Sequence, residues 1–146
     1  MRLLEKDFDM KSLAYIPLFG VILIIYNVIM ATSDASVTVA KPLVEATLIS
    51  GAEWKMTTGE LLIVIGIFVL FIEMFKATRT GTASILDHGL SMLVFVVFVI
   101  EFLVVKGAGN STFLILGLMS LVDVVAGFSI TIVSARRDLA VGAAIQ

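Results

Sequence analysis

Asp123 stands near the centre of Thr112 to Val133, a run in which every other side chain is uncharged. Inserting an acid at such a depth costs roughly 2.5–3.5 kcal/mol, so it faces a bundle interior, a partner or water. Two kinds of chemistry are open to it: binding and releasing a proton or a cation, or holding helices together by a hydrogen bond. Glu101 and Asn27 lie at a common depth in two other apolar runs, about four residues inside the same boundary, and are expected to hydrogen-bond, with Lys106 able to snorkel toward Glu101. With Ser91 and Ser120 as hydroxyl partners of Asp123, these residues form the candidate intramembrane site. Asp123 has no basic residue at its own level and is expected to be protonated much of the time, donating to a backbone carbonyl, Ser91 or Ser120.

A second polar group, Glu73, Lys76, Arg79, Asp87 and His88, falls where apolar runs end. Ordinary boundary ion pairs are the expectation there. His88 reads either as a proton relay with Asp87 or as a first-turn polar residue at the interface. It is the single histidine, and the chain has no cysteine, so bis-histidine haem, multi-histidine zinc, disulfides and thiol nucleophiles are excluded within one chain. There is no phosphate-cradling loop, nucleophile elbow or nucleic-acid module. No catalytic residue, metal or cofactor is therefore assigned, and the chain is not expected to be an enzyme.

The elements that must position these groups are membrane spans. Of the 146 residues 60% are hydrophobic and 15% charged, with a mean hydropathy of +1.12, which is too apolar for a water-soluble domain of this length. Four stretches approach the ~20 residues needed to cross ~30 Å of hydrocarbon. The expected fold is an all-α, antiparallel four-transmembrane-helix bundle forming one domain. Its spans are placed at 13–30, 59–75, 85–105 and 112–133, with a cytoplasmic lead at 1–11, an outer loop at 31–57 and a cytoplasmic tail at 134–146. The first span, preceded by Glu5, Asp7 and Asp9 as well as bases, reads as a retained anchor rather than a cleaved signal. Its helix is expected to start between Lys11 and Ile16. Basic residues set the orientation: Arg2, Lys6, Lys11, Lys76, Arg79, Arg136 and Arg137 fall on one side, Lys41, Lys55 and Lys106 on the other, which puts both termini in the cytoplasm.

Finer signals refine these elements. Thr57–Glu60 and Ser84–Asp87 both fit the capping box, and Asn110, Ser111 or Thr112 can cap the last helix. In the outer loop, Ser36–Val39 alternates, and Glu45–Ile49 and Glu53–Thr57 flank a turn at Ser50–Gly51–Ala52, the pattern of a short β-hairpin on the outer membrane surface. Trp54 suits the water–lipid boundary. On the last helix Gly117, Ser120, Asp123, Gly127, Thr131 and Ser134 share one face, a stripe that lets helices approach closely in lipid.

Ser50–Trp54, Glu73 with Lys76–Gly81, Asp87–Ser91, Glu101–Leu103, and Asp123–Ser129 followed by Arg136–Arg137 resemble corresponding pieces of a group of small, uncharacterised four-span bacterial inner-membrane proteins. The resemblance spans about Ser50 to Arg137 and implies the same architecture and a bacterial inner-membrane location, without an activity. Small multidrug exporters match poorly, since their essential acid lies in the first span, where this chain has Asn27. Two functions are thus expected: a non-enzymatic accessory or assembly component contacting the lipid bilayer and a larger membrane-protein partner or a second copy, or a small oligomeric proton- or cation-coupled transporter using Asp123 and Glu101. Nucleic acid is not an expected partner.

Overall fold

A computed structural model describes the backbone of residues 16–32, 35–78 and 82–144, with side chains throughout except at 35–36, 82–85, 134–135 and 137–144. The lead at 1–11 lies outside the described residues. The elements are α1 (Leu18–Thr32), α2 (Ala35–Ala40), β1 (Pro42–Thr47), β2 (Glu53–Thr57), α3 (Thr58–Ala77), α4 (Thr82–Val104), a 3₁₀ turn (Lys106–Ala108) and α5 (Ser111–Ala144).

Thr58–Ala77, Leu86–Val104 and Ser111–Val133 are long and apolar enough to cross a membrane. α1 is as apolar but has 15 residues, about 22 Å at 1.5 Å per residue. It starts later than expected, because Pro17 precedes it and Ile16 and Pro17 are not helical. α5 runs past Val133 to Ala144, so the stretch expected as a tail continues the helix through Arg136 and Arg137.

Local chemistry explains most of the starts. Thr57 is extended and accepts from the Glu60 amide at 3.2 Å, while the Glu60 carboxylate accepts from the Thr57 amide at 2.7 Å, the capping box read from the sequence. Asn110 Oδ1 accepts from the Phe113 amide at 3.1 Å and starts α5. The second expected box fails: α4 begins at Thr82, so Ser84 is already inside the helix, and Asp87 is drawn to Lys76 instead.

The connection between α1 and α3 holds the hairpin, with β1 and β2 antiparallel and Val44 opposite Met56, Glu45 opposite Lys55, and Ala46 opposite Trp54. Its turn returns through Gly51 at φ +82°, a left-handed conformation that glycine adopts without a Cβ penalty. Because opposed residues share a face, Val44, Ala46, Trp54 and Met56 make one apolar side, and the Glu45–Lys55 ion pair at 3.5 Å lies on the other. Ser36–Val39, expected as part of the alternating pattern, is instead the helix α2, whose Val39 is buried against the core. Four residues of alternation cannot decide between a strand and one turn of helix.

α5 packs between α3 and α4, and α1 contacts α3 and α4. The core they enclose is aromatic and aliphatic: Phe19, Ile22, Tyr26, Phe98, Phe113 and Leu116. Tyr26 and Phe98 flank Phe113 with ring centroids 4.8 and 5.1 Å away, an edge-on and a tilted contact that the aromatic quadrupole favours. Outside, the burial pattern of a water-soluble protein is inverted. Ile24, Phe68, Phe71, Phe75 and Leu103 are exposed while Glu73, Asp87, His88, Ser91, Ser120 and Asp123 are buried. Lipid as the surrounding solvent accounts for both halves of that pattern.

Candidate functional site

The interior polar groups divide between the two ends of the helices. At one end α1 and α4 meet through Asn27, whose amide donates to both carboxylate oxygens of Glu101 at 3.1 and 3.0 Å. The same amide reaches the Leu23 carbonyl one turn back. Lys106 makes no ion pair with Glu101 among the described residues and is exposed. Nearby, Asn110 donates to the Tyr26 hydroxyl at 2.6 Å, tying the start of α5 to α1.

At the other end lies a denser cluster centred on Lys76. Its ammonium reaches Glu73 Oε2 at 2.9 Å, Asp87 Oδ1 at 3.1 Å and the Ile16 carbonyl at 3.0 Å. Glu73 and Lys76 are three residues apart on α3 and share a face. Asp87 comes from the first turns of α4. The second oxygen of Glu73 accepts the Leu18 amide, an N-terminal donor that α1 cannot satisfy within itself. One ammonium and one carboxylate of α3 thus hold both the start of α1 and the start of α4. Lys76 and Glu73 form an ion pair of the kind the sequence suggested, and with the side chains of Glu73 and Asp87 1% and 5% exposed these contacts also tie helices in the interior. Arg79 lies outside the described residues.

Asp123 belongs beside this cluster. It shares a hydrogen bond with the Ser91 hydroxyl of α4 and feels the charges of Glu73, Asp87 and Lys76. Its Oδ2, however, has no hydrogen-bond partner among the described residues, and neither does the hydroxyl of Ser120 one turn earlier on α5. Both residues are buried, Asp123 at 4% exposure and Ser120 at 0%. The residues grouped in the sequence as one candidate site therefore occupy two places: Asp123, Ser91 and Ser120 join Glu73, Lys76 and Asp87, whereas Asn27 and Glu101 form a separate contact. Glu101 is ten positions from Ser91 on the same helix, a rise of about 15 Å.

His88, read from the sequence as an interface residue or a relay with Asp87, packs against α5. Its imidazole is buried, with Nε2 3.0 Å from Thr131 Oγ1 on α5 and the ring 5.8 Å from that of Phe128. Gly127 makes the room: a Cβ there would come within 2.6 Å of two ring atoms of His88. The small-residue stripe of α5 accordingly faces α4 along its length, with Gly117 against Phe98, Asp123 against Ser91, and Gly127 and Thr131 against His88. The side chain of Ser134 lies outside the described residues.

Sequence reasoning missed the carbonyl of Ile16 and the amide of Leu18 as members of the cluster, for which Pro17 just before a helix start was the available signal. Among the described residues no group of three or more acidic or histidine side chains converges in a way that could hold a metal ion. No protein-family model, curated protein or solved structure matches this chain.

Proposed function

We propose that this chain is a non-enzymatic accessory or assembly component of a membrane complex. It would act as a four-span bundle in a bacterial inner membrane, with the Lys76 end of the helices on the cytoplasmic side. The observation that carries this reading is the use made of the interior polar groups. Asn27–Glu101, Glu73–Lys76–Asp87 and Ser91–Asp123 each join different helices, which is the work of fold determinants. The outward faces are then free for contact. Phe68, Phe71 and Phe75 form an exposed aromatic ridge on α3, with Phe71 and Phe75 in edge-on contact at 4.8 Å, and aromatic anchors of this kind dominate protein interfaces. Positive charge at 76–79 and 136–137 supports the orientation, and the resemblance of Ser50–Arg137 to four-span bacterial proteins supports the location.

The test is photo-crosslinking in native membranes with a benzophenone amino acid at Phe71, compared with the lipid-exposed Leu103. Discrete protein adducts at position 71, of twice the chain mass or of a reproducible larger partner, are expected. Lipid adducts alone at both positions, with the chain recovered as a monomer, would defeat the assembly reading.

A second reading, a small oligomeric proton- or cation-coupled transporter, is favoured by one observation: the unpartnered Asp123 Oδ2 and Ser120 Oγ beside the charged cluster. Proton and cation flux in proteoliposomes, with Asp123→Asn as the comparison, decides it. Flux no greater than in empty vesicles, or equal flux in the variant, sinks the transporter.

A further inference from the structure

We propose that Asp123 is a reversible proton-binding site, in exchange with water at the Lys76 end of the helices. The donors of the neighbouring cluster are already in use. An ammonium has three N–H groups, and those of Lys76 meet three acceptors, Glu73 Oε2, Asp87 Oδ1 and the Ile16 carbonyl, at 2.9–3.1 Å. Among the described contacts none remains for Asp123.

The other groups around Asp123 do not replace it. From α3 come Glu73 and Lys76, and from α4 Asp87 and Ser91. The start of α1 and the residues before it contribute the Leu18 amide and the Ile16 carbonyl, already bonded to Glu73 and Lys76. On α5 itself the nearest polar side chain is Ser120, one turn away, and His88 of α4 is turned to Thr131. Among the described residues Asp123 is left with one neutral hydroxyl, from Ser91, and an Oδ2 without a hydrogen-bond partner at 4% exposure. An ionised carboxylate so placed, near two further acids and out of water, is an arrangement that burial penalises. Adding a proton removes the charge and makes the acid a donor, with Ser120 Oγ as the unpartnered acceptor one turn away.

A proton fits this site better than a metal ion, because the ammonium of Lys76 already occupies the space between Glu73 and Asp87. The exchange is a simple proton transfer. The O–H bond of a hydrated proton breaks as one forms at the Asp123 carboxylate, and release returns the proton to water with no change in oxidation state. Basic residues at 76–79 and 136–137 mark this end as the aqueous one, and Lys76, its side chain 15% exposed against 1% for Glu73 and 5% for Asp87, is the least enclosed member of the cluster. The transporter reading needs such a site, but the site does not need transport.

The experiment is infrared spectroscopy of the full chain reconstituted in lipid, followed through a pH titration in the carbonyl-stretch region of protonated carboxyl groups. The expected result has three parts: a band at neutral pH that Asp123→Asn abolishes, that shifts down in D₂O, and that disappears reversibly in alkaline buffer. Ser91→Ala, which keeps the acid but removes its hydrogen bond, is expected to move that band to higher frequency, and it serves if the asparagine variant does not fold. Spectra without a protonated-carboxyl band at neutral pH, a band that neither variant changes, or one indifferent to pH would overturn the proposal. Because vesicle flux is a separate readout, a proton site without flux defeats transport alone.

Discussion

Replacing Lys76 with Met tests the energetics of the polar cluster most severely. The substitution keeps the length of the side chain and its apolar stem but removes an ammonium that touches two buried carboxylates and a backbone carbonyl. Taking one partner from a buried ion pair costs about 3–5 kcal/mol, because the other is left charged and unpaired. Here Glu73 and Asp87 are both left, at 1% and 5% exposure, and the start of α1 loses its bond at Ile16. A loss of at least ~3 kcal/mol is expected, measured by reversible unfolding in mixed detergent and lipid micelles. The triple variant Glu73→Gln, Lys76→Met, Asp87→Asn removes every charge at once and should recover most of that loss, since neutral replacement of a buried pair is often tolerated. If Lys76→Met unfolds within about 1 kcal/mol of the wild type, the span of what exposed ion pairs contribute, the cluster is not the interior tie described above.

Gly127→Val should destabilise by about 1–3 kcal/mol, the usual cost of overpacking, because its Cβ would meet His88 at 2.6 Å; His88→Ala in the same chain should relieve much of it. Asn27→Leu removes the donors to Glu101, with an expected loss of roughly 0.6–2 kcal/mol for a hydrogen bond between membrane helices, and Glu101→Gln should restore less than Asn27 supplied. Thr57→Ala removes half of the capping box that starts α3 and should cost about 0.5–2 kcal/mol, readable in the same unfolding assay. An unchanged midpoint in any of these would remove that contact from the account.

The apolar spans, the Thr57–Glu60 and Asn110 caps, the hairpin turn at Gly51 and the Asn27–Glu101 contact were legible because each depends on local spacing or on depth along a helix. What was not legible depends on rotation about the helix axis and on pieces of backbone. The stripe on α5 could be drawn as a face, but nothing in its own residues says that Gly127 opens a place for His88. Asp87 looked like a cap because Ser84 stands three residues before it, and only the position of α3 shows that Lys76 reaches it. Glu73 and Lys76 read as an ordinary ion pair where an apolar run ends. They are interior because the start of α1, at Leu18 rather than further back, closes over them and supplies an amide and a carbonyl that no side-chain pattern reveals. The hexapeptide of α2 shows the opposite limit, a segment too short for its periodicity to choose a structure.

The most direct test of the central claim, that this bundle serves assembly, is the photo-crosslink at Phe71 in native membranes. The account predicts a discrete protein adduct there, whether with a second copy or a larger partner. Lipid adducts alone from a monomeric chain would contradict it.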